Sequence, residues 1–399
     1  MTTSIIITLC VLLLIAYVFD LTASRTKIPS VIMLLFVGWI VRQITSFFSI
    51  AIPDLSEILP VLGTVGLVLI VLEGALELDF SAAKYPLMKK AFLLSLLPMI
   101  VVALVLSLVF AFWGNNSFRI CLINIIPLCV ISSAIAIPSV KILPKELKEF
   151  VIYESSFSDI LGILFFNFIL SNHEFGFLTF GGFIVQIIFT IIFSIIITVG
   201  LSILIHKNNH HIKYVPILFL IILIYAISKI FHLPGLILIL VFGIILGNID
   251  EFKKKSWLRF IKSEDIKGEI IRFRNIVSET AFVIRALFFL LFGYLIKSSE
   301  LFNIDTILIS VIIVASIFIA RFAMLKFLKF DIAPLLFIAP RGLITILLIL
   351  SIEPQEKLSI VNNSLLIQVI ILSALIMMFG LMLFKNSDSK MNHVVNSEK

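Results

Sequence analysis

Apolar residues run through this chain in long continuous blocks, separated by short polar stretches in which charges collect. Thirteen blocks can be drawn, at about 4–20, 29–47, 58–78, 91–113, 118–142, 150–171, 178–206, 213–231, 234–249, 276–298, 303–327, 331–352 and 362–384. Most reach the roughly 18 residues a helix needs to cross a bilayer. Barrel strands alternate apolar and polar residues, and these blocks do not, so an outer-membrane barrel is excluded. The pattern predicts an all-α polytopic membrane protein with about 13 transmembrane helices. The first block lacks a basic stretch before it and a small-residue cleavage site after it. It therefore reads as a spanning helix and not as a signal peptide.

Composition removes the soluble alternatives. Hydrophobic residues make up 61% of the 399 and charged residues 14%, against roughly 45–50% and about 25% in soluble domains. A net charge of +7 invites a nucleic-acid reading, but in a membrane chain the position of the basic residues decides. With the N-terminus outside, 23 of the 31 lysines and arginines fall on the inner side, five on the outer side and three within blocks. That bias predicts an N-out, C-in protein of the plasma membrane, with the bilayer as its partner and no nucleic acid. Cys10, Cys121 and Cys129 are too few for a disulfide framework, and His210 and His211 share a polar loop without ligand spacing. No cofactor is expected. The inner loop at about 250–275 mixes Phe252, Trp257, Phe260 and Ile261 with basic residues, as a linker lying on an anionic leaflet would.

Charge inside the hydrocarbon is costly and marks function. Block six carries Glu154, Ser155, Ser156, Phe157, Ser158 and Asp159 in sequence. Counted from Phe150, Asp159 lies about 14 Å in at 1.5 Å per residue, near the middle of a core about 30 Å thick. Ser155 shares its face one turn earlier, so carboxylate and hydroxyl together offer oxygens to a monovalent cation or a proton. Glu154 points elsewhere, and Arg321 in block eleven is a partner of opposite sign. Glu73, in block three, is either a cavity-lining acid or part of the same network, while Glu77 and Asp79 fall at the interface. Arg285 heads an aromatic run (Phe288, Phe289, Phe292) and reads as a packing or lipid-facing residue.

Two blocks look broken. In the fifth, Pro138 frees the carbonyl of Ala134 beside the hydroxyls of Ser132 and Ser133. In the twelfth, Pro340 frees the carbonyl of Leu336, Gly342 permits unwinding, and Arg341 brings charge to mid-membrane. Irregular backbone at that depth survives only when buried in protein or lining a cavity. Two such breaks beside a midplane acid point to an inverted-repeat transporter.

These residues also match a family. Glu154-Ser155-Ser156-Phe157-Ser158-Asp159 resembles the Glu-Ser-x-x-Asn-Asp signature of the Na⁺/H⁺ exchanger branch of the monovalent cation:proton antiporter superfamily. Ala320-Arg321, followed by Ala339-Pro340-Arg341-Gly342-Leu343, is similar to that branch's arginine-bearing helix and its Pro-Arg-Gly crossover. Leu72-Glu73-Gly74-Ala75-Leu76-Glu77 is similar to the end of its early helix. The resemblance implies scaffold and dimerisation helices at 1–80 and 213–298, core transport helices at 91–171 and 303–384, a linking helix at 178–206 and a cytoplasmic tail at 385–399. It further implies a homodimer, two broken helices crossing beside Asp159, elevator movement of the core, and an Arg321–Glu154 pair that holds its place. The chain departs from the pattern at Ser158, where the family has Asn. It departs again at Ser132-Ser133-Ala134, where exchangers carry Thr-Asp-Pro; this resembles the serine-rich crossover of the potassium-efflux branch.

A carboxylate too costly to cross the membrane empty must travel with a cation or with a proton, which is the logic of an antiporter. One acid at the site implies one cation for one proton, an electroneutral exchange with Na⁺ favoured and K⁺ or Li⁺ open. Candidate ion and proton ligands are Asp159, Ser155, Glu73, Ser132 and Ser133, with Asp159 as the metal ligand. A cation channel, a potassium-efflux-type transporter and a coupled solute symporter, the last using Arg321 and Arg341, stay open. An enzyme is not expected, because the blocks hold no nucleophile–base pair.

Overall fold

The computed structural model describes residues 2–26, 28–48, 58–78, 80, 82–140, 143–172, 176–207, 214–230, 235–249, 265–330 and 333–397. Among them every regular element is helical. Four helices, α1 (Thr2–Thr26), α2 (Ser30–Phe47), α3 (Ile58–Glu77) and α4 (Tyr85–Gly114), lead to a broken pair, α5 (Phe118–Cys129) and α6 (Ser133–Ser139). Then follow α7 (Lys145–Ser171), α8 (Phe177–Lys207), α9 (Tyr214–Ile230), α10 (Gly235–Gly247), α11 (Asp265–Leu295) and α12 (Ile304–Phe327). A second break separates a 3-10 turn at Leu335–Phe337 from α13 (Leu343–Leu350), and α14 (Asn363–Ser397) closes the fold. With each broken pair counted once, the thirteen traverses correspond to the thirteen apolar blocks. Among the described residues nine helices are long and apolar enough to cross a membrane, and three shorter apolar ones accompany them.

Two boundaries move. α11 begins at Asp265, within the stretch expected to be a loop, and α14 runs on through residues expected to be a tail. Phe252, Trp257, Phe260, Ile261, Asp79, His210 and His211 lie outside the described residues.

In lipid the backbone must satisfy itself, so continuous apolar blocks become helices whatever their local propensity. The hydroxyls inside them follow the same rule. Thr190, Ser194 and Thr198 of α8 are buried, and each donates to the carbonyl four residues earlier, at 2.8, 2.6 and 2.7 Å. Packing sorts the helices into two groups. α11 lies along α2 and α3, and α10 lies against α3 and α8; α4 lies against α5 and α7, while α12 packs on α14 and α4. The α2–α11 seam depends on glycine, since a Cβ on Gly38 would stand 2.2 Å from the Leu290 carbonyl oxygen and one on Gly293 2.3 Å from that of Leu35. The two groups meet where α3 touches α6, α7 and α13.

Candidate functional site

At that meeting place both broken segments expose backbone that a membrane cannot hydrate, and side chains answer for it group by group. Pro127, inside the last turn of α5, has no amide to donate. Val130 then turns extended, at φ −77° and ψ 130°. The last two carbonyls of α5 point into apolar core, and Arg341 takes both, Nε to Leu128 at 3.0 Å and Nη2 to Cys129 at 3.0 Å. Its Nη1 donates to the Ala339 carbonyl of its own break. A cation at a helix C-terminus also matches the negative end of the helix dipole. Beyond the gap, the Ile131 amide donates to Ser158 Oγ at 2.9 Å. The Ser132 amide donates to the Pro340 carbonyl at 2.8 Å. The two broken segments therefore cross in direct backbone contact. Gly342 makes room for the crossing, as a Cβ there would lie 2.7 Å from Ser132 Oγ.

The unwound stretch of the first break is Val130–Ser132, upstream of the proline that sequence suggested. Pro138 lies inside α6. Pro127 and the β-branched pair Val130-Ile131 account for the shift, because the first withdraws a donor and the second favours extended backbone. In the second break it is the Leu335 carbonyl, not that of Leu336, that carries a long-range bond, accepting from Arg321 Nε at 2.8 Å.

Asp159 stands against this crossing, 2% exposed. Its Oδ2 accepts from both the amide of Ser133, at 3.3 Å, and the Ser133 hydroxyl. Its Oδ1 is buried without a hydrogen-bond partner, and so are the hydroxyls of Ser132 and Ser156. The Ser155 hydroxyl donates to the Val151 carbonyl at 2.8 Å, within its own helix. Five residues before Asp159 the situation reverses. Glu154 and Arg321 form a two-pronged ion pair, with Arg321 Nη1 on Oε1 and Nη2 on Oε2 at 2.9 Å, both side chains 2% exposed.

A cavity of about 530 Å³ opens beside the crossing and includes Ser133, Pro138 and Glu73 in its wall. Glu73 accepts from Ser278 Oγ at 2.5 Å and lies 3.9 Å from Arg285 Nη1. Arg285 is thus a cavity residue and not a lipid-facing one. An amphipathic count could not place it, because α11 buries its aromatic face and turns Ser278 and Arg285 to the same opening. A second cavity of about 500 Å³ lies along the C-terminal half of α7, and its described lining, which includes Asn167, Gln186 and Lys229, holds no carboxylate.

Two further side chains, both on α5, hold the segment around Glu356, and the first also ties it to the end of α7. Arg119 donates to the carbonyls of Ile169, Leu170 and Asn172 at the end of α7 and pairs with Glu356 at 2.5 Å. Asn124, a polar residue within Ile123-Asn124-Ile125, bridges the Glu356 carbonyl at 2.7 Å and the Leu358 amide at 3.1 Å. Only Asn124 announces itself, by interrupting an apolar run.

Two broken helices crossing at a buried acid, inside an all-helical membrane chain, define a secondary transporter. The family model described as "Sodium/hydrogen exchanger, transmembrane" matches residues 10–385, and the chain belongs to that family, one of transporters and not of enzymes. The fold is similar to the structure of the sodium proton antiporter MjNhaP1 from Methanocaldococcus jannaschii at pH 8. The TM-score is 0.73 at 18% identity, over 94% of this chain and 96% of that one. An electron-microscopy structure of the same archaeal protein matches with a TM-score of 0.71 at 19% identity, over 98% and 97% of the two chains. At these identities the likeness is one of fold. Comparison with curated proteins gives no match.

Proposed function

We propose that this protein exchanges a monovalent cation, Na⁺ in preference to K⁺ or Li⁺, for a proton across the plasma membrane, one for one. The observation that carries the reading is the half-satisfied carboxylate of Asp159. Ser133 holds one oxygen, and the other is buried with nothing to pair it. A dehydrated cation or a proton completes such a group, and neither state leaves a bare charge to cross the bilayer. The unpaired Ser132 hydroxyl supports a cation ligand set drawn from the crossover, with Glu73 in the wall of the adjoining cavity.

The core moves as an elevator, with α4–α7 and α12–α14 travelling together against α1–α3 and α9–α11, and α8 linking them. The packing of α4 with α5 and α7, and of α12 with α4 and α14, supports that division. The charge bias supports an N-out orientation, under which the Glu73 cavity opens on the cytoplasmic side. Homodimerisation through the scaffold helices follows from the family resemblance. The solute-symporter alternative loses its anion ligands, because Arg321 and Arg341 are both engaged by protein partners through all three guanidinium nitrogens.

The test is proton movement in sealed vesicles containing the purified protein, on addition of Na⁺, K⁺ and Li⁺ in turn. Saturable alkalinisation or acidification with Na⁺ most effective is expected, unchanged when a diffusion potential is clamped across the membrane. Response to K⁺ alone would move the protein to potassium efflux, and a several-fold voltage dependence would sink the one-for-one stoichiometry.

A further inference from the structure

The cavity that reaches Ser133 is lined by four carboxylates, Asp20, Glu73, Glu77 and Glu279, and by one cationic side chain among its described residues, Arg285. A carboxylate facing the path to the site draws cations toward it, so the guanidinium fixed beside Glu73 opposes that attraction. Its placement is specific. Arg285 Nη1 stands 3.9 Å from Glu73 Oε2, while Ser278, two turns earlier on the same helix, holds the other oxygen at 2.5 Å. Both side chains of the pair are partly shielded, 13% and 16% exposed. Glu73 in turn shares the cavity wall with Ser133, which hydrogen-bonds Asp159. The buried pair Glu154–Arg321 needs its arginine to avoid a bare charge. Glu73 opens onto a cavity and has no such need.

We propose that Arg285 is a tethered competitor of the transported cation. Its guanidinium takes the place beside Glu73 that an arriving ion would occupy, and it sets the apparent affinity on that side of the membrane. The inference rests on the exchange reading for what the ion does next, but not for the competition itself. A permanent positive charge weakens capture, so it raises KM, and by keeping the released ion from lingering it leaves the maximal rate the same or higher. Attraction at 3.9 Å in a partly screened setting is strong enough to matter and weak enough to be displaced. That is the regime in which a competitor, as opposed to a structural salt bridge, operates.

The test uses the full chain in sealed vesicles, with Na⁺ as the varied ion. R285Q and R285M remove the charge while keeping an unbranched stem, and R285K retains it. The neutral variants should lower the apparent KM for Na⁺ about threefold to tenfold at unchanged or reduced maximal rate. R285K should stay within about twofold of the natural protein, because the compact ammonium preserves the charge. An unchanged or raised KM in a neutral variant that melts like the natural protein overturns the proposal. So does failure of both neutral variants to fold while R285K folds, since Arg285 would then be a structural partner of Glu73. If the natural protein shows no Na⁺-driven proton movement, it is the exchange reading that fails. Arg285 is then judged by the Na⁺ concentration that half-saturates thermal stabilisation in detergent, which should be lower in R285Q and, if equal, ends the idea.

Discussion

Helix α7 carries two buried carboxylates five residues apart, and they are opposites. Glu154 is saturated, both oxygens gripped by Arg321, whose third nitrogen is tied to the Leu335 carbonyl. Asp159 is left open, with Oδ2 held by Ser133 and Oδ1 unpartnered. Burial is nearly the same at both, so burial does not distinguish structure from function here. Completeness does. A carboxylate with both oxygens paired to a fixed cation has little left to exchange, while one with a buried, unpaired oxygen is unstable until something mobile arrives.

That contrast breaks most sharply at Asp159. Asp159→Asn keeps the shape and the Ser133 contact but ends titration, so cation-driven proton flux should fall at least about 100-fold. Its melting temperature should hold or rise, since a buried, half-paired charge is gone. Full flux in this variant would remove Asp159 from the mechanism.

At Glu154 the prediction inverts. Removing either partner strands a buried charge, so Arg321→Ala and Glu154→Gln should each cost about 3–5 kcal/mol. The double variant should recover much of that loss, read as a double-mutant cycle on melting temperature in detergent. Additive losses would mean that the two side chains do not act as a pair.

The smallest effect separates the two carboxylates from the break that lies between α5 and α6. Ser158→Ala leaves the Ile131 amide without its acceptor, a loss of about 1–3 kcal/mol. Transport should survive, at a KM for Na⁺ within a few-fold of the natural value, because Ser158 faces the backbone and not the open oxygen. Abolished flux in a stable Ser158→Ala protein would place Ser158 among the ion's own ligands.

How far this was readable in the chain depends on the range of the interaction. Helices and their number are local properties of apolar length and position, and the apolar blocks express them. The opposite charges of Glu154 and Arg321 are each too costly alone, so their meeting is almost a consequence of their existence. Arg341 is different. Its three acceptors lie on Leu128, Cys129 and Ala339, and nothing near Arg341 in sequence singles out the first two. The first break shows both ranges at once, since Pro127 and Val130-Ile131 favour it locally and distant groups then hold it. Proline is a visible signal at Pro138, whereas the unwinding at Val130–Ser132 is stabilised by groups far along the chain. The aromatic neighbours of Arg285 suggest packing or lipid, whereas the helix turns Arg285 and Ser278 to the cavity, a direction that spacing along one helix does not reveal.

The grip of Arg341 on the end of α5 also has a consequence for biogenesis. The bond from Arg341 to Leu128 spans 213 residues, so the ribosome has delivered the first broken helix to the membrane long before its cap is synthesised. Until then the two carbonyls, buried in the finished protein, lack their Arg341 donor, at a cost of several kcal/mol each if they are kept from water. A nascent chain ending before Arg341 therefore cannot hold this crossover. The first half must wait in another shape, with α5 continued as helix or its end kept near water, and the crossover sets only when the twelfth block inserts. Assembly of the transport core is thus a late event, timed by a residue from the opposite end of the polypeptide.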